Sequence, residues 1–188
     1  MAKITVYYDY VCPYCKRGLE TLLDLLPAYP GAEIEWTPVE SHPRPEDFRP
    51  HTDLCVRAYY IARELGADIK AFHAALFRAA AEERQDVENP AVLEKVVEGL
   101  MDGGVFRASL DAGKFASRAG ENNDAADKAG VWFLPAFRAG KIALDAKGGA
   151  GVSGEELKAF LDRAARLNGP KRGSTPPGPA FSPSGQRR

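Results

Sequence analysis

Ile4-Thr5-Val6-Tyr7-Tyr8-Asp9-Tyr10-Val11-Cys12-Pro13-Tyr14-Cys15 decides how the rest of this chain is read. Ile4 to Tyr8 are β-branched and aromatic, the composition of a strand. After Cys15 the apolar residues recur at helical spacing, so the two thiols fall where a strand hands over to a helix. At a helix N-terminus the first backbone N–H groups lack intrahelical partners and the peptide dipoles sum to a partial positive charge, which favours thiolate over thiol. One helical turn brings two cysteines separated by two residues within reach of a disulfide or of a shared metal ion. Pro13, near the first helical position where its missing N–H costs nothing, favours dithiol redox chemistry.

Cys15, Leu19, Leu22, Leu23 and Leu26 make an apolar stripe, with Lys16, Arg17, Glu20 and Asp24 mostly on the other side. Cys15 therefore begins the buried face, and Cys12 is placed at the exposed tip. Cys12 is the candidate attacking thiol, and Cys15 the candidate resolving thiol that expels a partner from a mixed disulfide. Pro27 and Pro30-Gly31 stop the helix, and Ala32 to Thr37 reads as a second strand with Ile34 and Trp36 on one face.

From about Glu46 to Gly120 the pattern changes to short amphipathic helices. Thr52 or Asp53 can cap one that ends at Gly66, and Asp68 can cap a second containing Phe72, Leu76 and Phe77. Asn89-Pro90 opens a third that runs toward Gly103-Gly104, and an alanine-rich charged stretch is helical from about Gly113 to Lys128. No strand signal intervenes.

Trp132 to Phe137 is strongly β in composition but contains Pro135, which has no ladder donor and suits the start of a strand, with a cis Leu134-Pro135 bond as one expected geometry. Ala139-Gly140 separates Ala136–Arg138 from Lys141–Leu144, a hairpin pattern. Ser153-Gly154-Glu155-Glu156 is a capping box that opens a last helix, closed by Asn168-Gly169-Pro170. Residues 169–188, rich in Gly, Pro and Ser with Lys171, Arg172, Arg187 and Arg188, cannot build a core and are expected to form a disordered basic tail.

This order of elements resembles the DsbA-like thiol:disulfide oxidoreductase family over about residues 1 to 168. Tyr8 to Cys15 resembles the family's strand-to-active-site segment. Glu35-Trp36-Thr37-Pro38 with Pro43 and Pro45 resembles the second strand and exit loop of its cytoplasmic, polyketide-cluster-associated branch. Ala129-Gly130-Val131-Trp132-Phe133-Leu134-Pro135 resembles the approach to the family's cis-proline. The resemblance implies an α/β thioredoxin fold with an inserted all-helical subdomain: residues 1–45 and 121–168 form the thioredoxin-like part and 46–120 the insertion. It also implies a redox-active Cys12-Cys15 disulfide with no other cofactor, Pro13, Tyr14, Leu134 and Pro135 as substrate-binding residues, and protein thiols or disulfides as substrates, with glutathione as an additional co-substrate. The family often has small or β-branched residues and glycine around the proline, so bulky Trp132-Phe133-Leu134 departs from the pattern at a position that bears on substrate access.

With 188 residues and 45% hydrophobic content the chain can bury a core unaided, and its net charge of −1 gives no footprint for nucleic acid. Its three cysteines are too few for a disulfide-stabilised secreted scaffold. Met1-Ala2-Lys3 runs straight into the first strand and no stretch reaches membrane-spanning length, so a cytoplasmic protein with no membrane partner is expected. For a metal site, Cys55, His42, His51 and His73 supply no second paired spacing. Cys55 reads as a small buried hydrophobe, the histidines as surface or loop residues, and Asp9 as either a cap or a proton relay to Cys15. The aromatics Tyr7, Tyr8, Tyr10 and Tyr14 read as half core, half surface. The same insert-bearing fold serves kappa-class glutathione transferases and 2-hydroxychromene-2-carboxylate isomerases, which typically carry serine where Cys12 stands. A redox-inactive binding module would have no need of both thiols.

Overall fold

The computed structural model describes residues 2–167. The expected basic tail at 169–188 lies outside them.

Strand β1 (Ala2–Tyr8) is followed by helix α1 (Pro13–Leu25), and β2 (Ala32–Pro38) returns parallel to β1, with Ile4 opposite Ile34 and Val6 opposite Trp36. Parallel neighbours need a crossover, and α1 supplies it. Pro27 cannot continue the helix, so the chain leaves α1 through one 3-10 turn, Leu26–Ala28. Strands β3 (Ala136–Ala139) and β4 (Ile142–Asp145) form the hairpin and add antiparallel to the other edge of β1, giving the order β2-β1-β3-β4.

Between β2 and β3 the described chain is helical: α2 (Asp53–Glu64), α3 (Ile69–Phe77), α4 (Pro90–Val96), α5 (Gly103–Asp111) and α6 (Arg118–Lys128). Helix α7 (Gly154–Arg166) follows β4, opened by the Ser153–Glu156 capping box. Asp68 and Asn89 cap α3 and α4 through their side chains, whereas Thr52 precedes α2 without making a side-chain cap bond.

Three expectations are corrected. Gly103-Gly104, read as the stop of the preceding helix, instead opens α5, with the Asp102 carboxylate accepting from the Val105 N–H. The stretch from Gly113 does not join α6, because Gly113 (φ +73°) and Phe115 (φ +58°) adopt left-handed backbone that an α-helix excludes. Trp132 to Leu134 stay outside β3, which starts only after Pro135.

Alternation along β1 distributes the core. Ile4, Val6 and Tyr8 are fully buried in the main cluster with Leu19, Leu22, Phe137, Leu157 and Phe160, while Tyr7 faces a smaller cluster with Val39, Ala126 and Ala136. The helices between β2 and β3 share that main core through an aromatic group around His73, whose ring stacks on Tyr59 and meets Tyr8, Tyr10 and Trp36 edge-on or tilted. Tyr7, Tyr8 and Tyr10 are thus buried and only Tyr14 is half-exposed, more core than composition suggests. His73 is buried within α3, correcting its reading as a surface or loop residue, and His51 lies in a loop as expected but is buried. Among the described residues no helix is long and apolar enough to cross a membrane.

Candidate active site

Cys12 is the N-cap of α1, in extended conformation, and Pro13 takes the first helical position. Its sulfur does what a capping oxygen does elsewhere: Sγ accepts the Cys15 N–H at 3.3 Å, one of the orphan donors of the first turn. The turn is closed from the other side by the Cys12 N–H, which donates to the Asp9 carbonyl at 3.2 Å. Cys15, fully buried, receives the Asp9 N–H on its sulfur at 3.5 Å. All three cysteines are free thiols.

The environments push the two thiols in opposite directions. The Cys15 thiol and the first-turn N–H groups of Cys15 and Tyr14 stabilise a Cys12 thiolate and, against partial burial and the Asp9 charge, lower its pKa from 9.0 to about 7. Burial holds Cys15 well above the ordinary thiol range, and its hydrogen bond to Cys12 adds to this. Cys55 is also fully buried within α2, and burial likewise pushes its thiol up.

The segment before β3 meets α1 at Gly18. A Cβ built there would stand 2.8 Å from the Pro135 ring, so only glycine lets this proline lie against the helix that carries both thiols. The Leu134–Pro135 peptide is cis. Gly18 was not singled out from the sequence, although a glycine on the apolar side of a helix, between Cys15 and Leu22, signals a close approach. Pro135 and Ala136 are buried, Leu134 is half-buried, and Trp132 and Phe133 point outward.

Tyr14 donates its hydroxyl to the Gly149 carbonyl at 3.0 Å, and the Arg17 guanidinium lies 4.9 Å from its ring. Gly151, at φ +77°, passes so close that a Cβ would meet Tyr14 at 3.2 Å. Tyr14 thus ties the first turn of α1 to the 148–151 loop, while Pro13 remains exposed. Of the sequence candidates, the fold gathers Cys12, Cys15, Tyr14 and Pro135 on one helix and its contacts; among the described residues His42, His51, His73 and Cys55 make no hydrogen bond to either sulfur. Among the described residues no group of three or more His, Cys, Asp or Glu is arranged to hold a metal ion.

The family model for the DSBA-like thioredoxin domain matches residues 3–162. The chain belongs to this family of DsbA-like oxidoreductases. It is 24% identical to the uncharacterized protein YwbO of Bacillus subtilis, over 57% of this chain and 71% of that one. Its fold is similar to that of the protein named probable DsbA oxidoreductase SCO1869 of Streptomyces coelicolor, with TM-score 0.75 and 16% identity over 90% of this chain and 92% of the other. It is also similar to BdbD of Bacillus subtilis in its oxidised form, with TM-score 0.67 and 16% identity over 88% of each chain. Against a thioredoxin-like oxidoreductase of Silicibacter pomeroyi the TM-score is 0.66 and the identity 21%, over 88% and 87%. In this DsbA-like chain the helix after β1 and the proline before β3 are the two pieces that meet at Gly18.

Proposed function

We propose that this DsbA-like protein exchanges disulfides with protein or small thiol substrates, with Cys12 attacking and Cys15 resolving. The observation that carries the reading is the placement of the two thiols: Cys12 caps α1 with its sulfur accepting the Cys15 N–H, while Cys15 is fully buried one turn in. In the reducing direction the Cys12 thiolate attacks a substrate disulfide, forming a mixed disulfide and releasing one substrate thiolate. Cys15 then loses its proton and attacks the Cys12 sulfur, which breaks the mixed disulfide and frees the second substrate thiolate. Two electrons pass to the substrate, whose two thiolates take up protons from solvent, and the Cys12–Cys15 disulfide remains. Oxidation of a substrate dithiol is the same sequence reversed.

Pro13, Tyr14, Leu134 and Pro135 are proposed to receive the substrate. Pro135 gives its carbonyl to the Ala146 N–H at 3.0 Å, which leaves Leu134 to meet an extended partner. The exposure of Trp132 (87%) and Phe133 (56%) supports a polypeptide partner, because large aromatics facing water in the segment that leads into Pro135 offer apolar area to a substrate chain. Glutathione as co-substrate and membership of the polyketide-cluster-associated branch belong to the same proposal, the latter supported by the order of the three sequence stretches.

Insulin reduction assayed beside glutathione conjugation tests it. The expected result is catalysed insulin reduction that Cys12→Ser abolishes. Conjugation by the native protein without insulin reduction would replace this reading with the glutathione-transferase one.

A further inference from the structure

Arg138 stands in β3 opposite Thr5 of β1 and Ala143 of β4, on the same face of the sheet as Ala136, and its side chain is 14% exposed. That face packs under α6, where Ala126 shares a buried cluster with Tyr7, Val39 and Ala136. A cation this enclosed needs partners, and the fold supplies them from three places. Nε donates to the Ala129 carbonyl at 3.1 Å and Nη2 to the Gly130 carbonyl at 3.2 Å, the C-cap of α6 and the residue after it. Nη1 donates to the Phe137 carbonyl at 3.1 Å, and Asp145 Oδ1 of β4 lies 2.7 Å from Nη2. The planar guanidinium presents its N–H groups as a fork, so one side chain holds two successive carbonyls at the negative end of a helix.

Between that grip and the dithiol helix run residues 131–135. At the far end Pro135 is fixed twice, by the Ala146 N–H on its carbonyl and by Gly18 of α1 against its ring. At the near end the Val131 N–H is bonded to the Ala126 carbonyl of α6. Among the described residues the backbone groups of Trp132, Phe133 and Leu134 make no hydrogen bond, so the two ends set their path. Asp145, the partner of Arg138, adjoins Ala146, the partner of Pro135, and one strand thus braces both ends.

We propose that Arg138 is a positioning residue for substrate binding, which by gripping the end of α6 fixes the path of residues 132–134 where an extended substrate chain pairs.

The inference rests on the proposed disulfide exchange, and a small disulfide separates the two. Native protein, Arg138→Met and Arg138→Lys are assayed on insulin and on bis(2-hydroxyethyl) disulfide, well below their unfolding temperatures. Methionine keeps an apolar stem and removes the fork. KM for insulin should rise about tenfold in Arg138→Met, the factor that loss of one charge-assisted hydrogen bond produces, while kcat/KM for the small disulfide falls far less. Lysine keeps the charge but offers one nitrogen, which cannot hold both carbonyls and Asp145 as the fork does, so it should restore only part of the loss. Parallel losses on the two substrates would show a general structural role and overturn the proposal, as would an unchanged insulin KM or full restoration by lysine. Native protein inactive on both substrates would remove the exchange reading and this inference with it. Should Arg138→Met fail to fold, the arginine itself is read: coupling is reciprocal, so a peptide that pairs with residues 132–134 must tighten the grip of Arg138. In Cys15→Ser protein holding a peptide on Cys12 as a mixed disulfide, the Arg138 Nε–H should exchange with solvent more slowly than in the same protein holding 2-mercaptoethanol. Equal exchange rates would overturn the proposal.

Discussion

If the Cys12 pKa is lowered by the folded first turn, the stability of the reduced protein must depend on pH in a way that Cys12→Ser removes. A thiol whose folded pKa lies below its unfolded value contributes stability at high pH and loses it as pH falls through the folded value. With 9.0 for the free thiol and about 7 in place, the window is pH 7 to 9. An ideal two-unit shift integrates to about 0.4 kcal/mol at pH 7, about 1.4 at pH 8 and about 2.3 at pH 9. Cys12 is partly open to water, so about 1 kcal/mol at pH 8 is the working expectation. Cys15 acts in the opposite sense but later: its raised pKa means that the unfolded chain ionises first, which destabilises the fold as pH climbs past the free-thiol value. Urea unfolding of native and Cys12→Ser protein, both kept reduced with a phosphine, should therefore diverge between pH 6.5 and 8.5, with the native protein gaining. Curves that stay parallel through pH 8.5 would refute the claim that the helix terminus stabilises a thiolate.

Gly18→Ala should lose about 1–3 kcal/mol in urea despite alanine's better helix propensity, because its Cβ would meet the Pro135 ring; a stabilised variant would show that the ring moves aside freely. Cys55→Ala should keep insulin reduction within about twofold of native, since the thiol is fully buried and its ionisation is opposed by burial and three acidic side chains, and equal loss with Cys12→Ser would sink the assignment of activity to the dithiol. Replacing Trp132 and Phe133 by serine should raise KM for insulin several-fold and leave reduction of a small disulfide unchanged, read from paired kinetics. His73, lowered to about 3 by burial, stays neutral while the unfolded chain protonates below 6.5, so about 2 kcal/mol should be lost by pH 5; His73→Gln should flatten that slope in acid unfolding curves.

The strand, the dithiol helix, the second strand, the hairpin and the last helix were all legible because each rests on a local signal: β-branched alternation, an apolar stripe, a proline stop, a capping box. Helix α5 escaped because Gly103-Gly104 reads as a terminator, yet Asp102 just before it supplies the cap and Phe106 and Leu110 the buried face. The break at 113–117 escaped for a different reason. Phe115 adopts φ +58°, a conformation its residue type does not announce. His73 was misplaced because its burial is set by a partner far along the chain, Tyr10 Oη at 2.9 Å from Nδ1, whereas His51 lies in a loop as expected but is buried against Glu40 and the His42 carbonyl.

What local signals could not supply is the meeting of distant segments, and there the site takes its shape. The position of Cys12 follows from α1 alone, but what packs against that helix depends on contacts more than a hundred residues apart in sequence. Pro135 reaches α1 only because Gly18 lacks a side chain, and Tyr14 reaches Gly149 only because Gly151 lets the 148–151 loop pass close to its ring. These contacts fasten the helix bearing the dithiol to two segments that follow β2 by a long helical excursion, so Pro135, the 148–151 loop and the helix carrying both sulfurs form one packed unit. The excursion is held to α1 differently, by the Lys16–Glu82 ion pair at 3.0 Å on the surface and by the shared aromatic core below. An exposed ion pair contributes little to stability, whereas close packing against Gly18 and Gly151 leaves no slack. Motion of the helical region relative to the dithiol is therefore less constrained near Lys16 than motion of the Pro135 segment, and hydrogen exchange should show earlier opening around Glu82 than around Ala136.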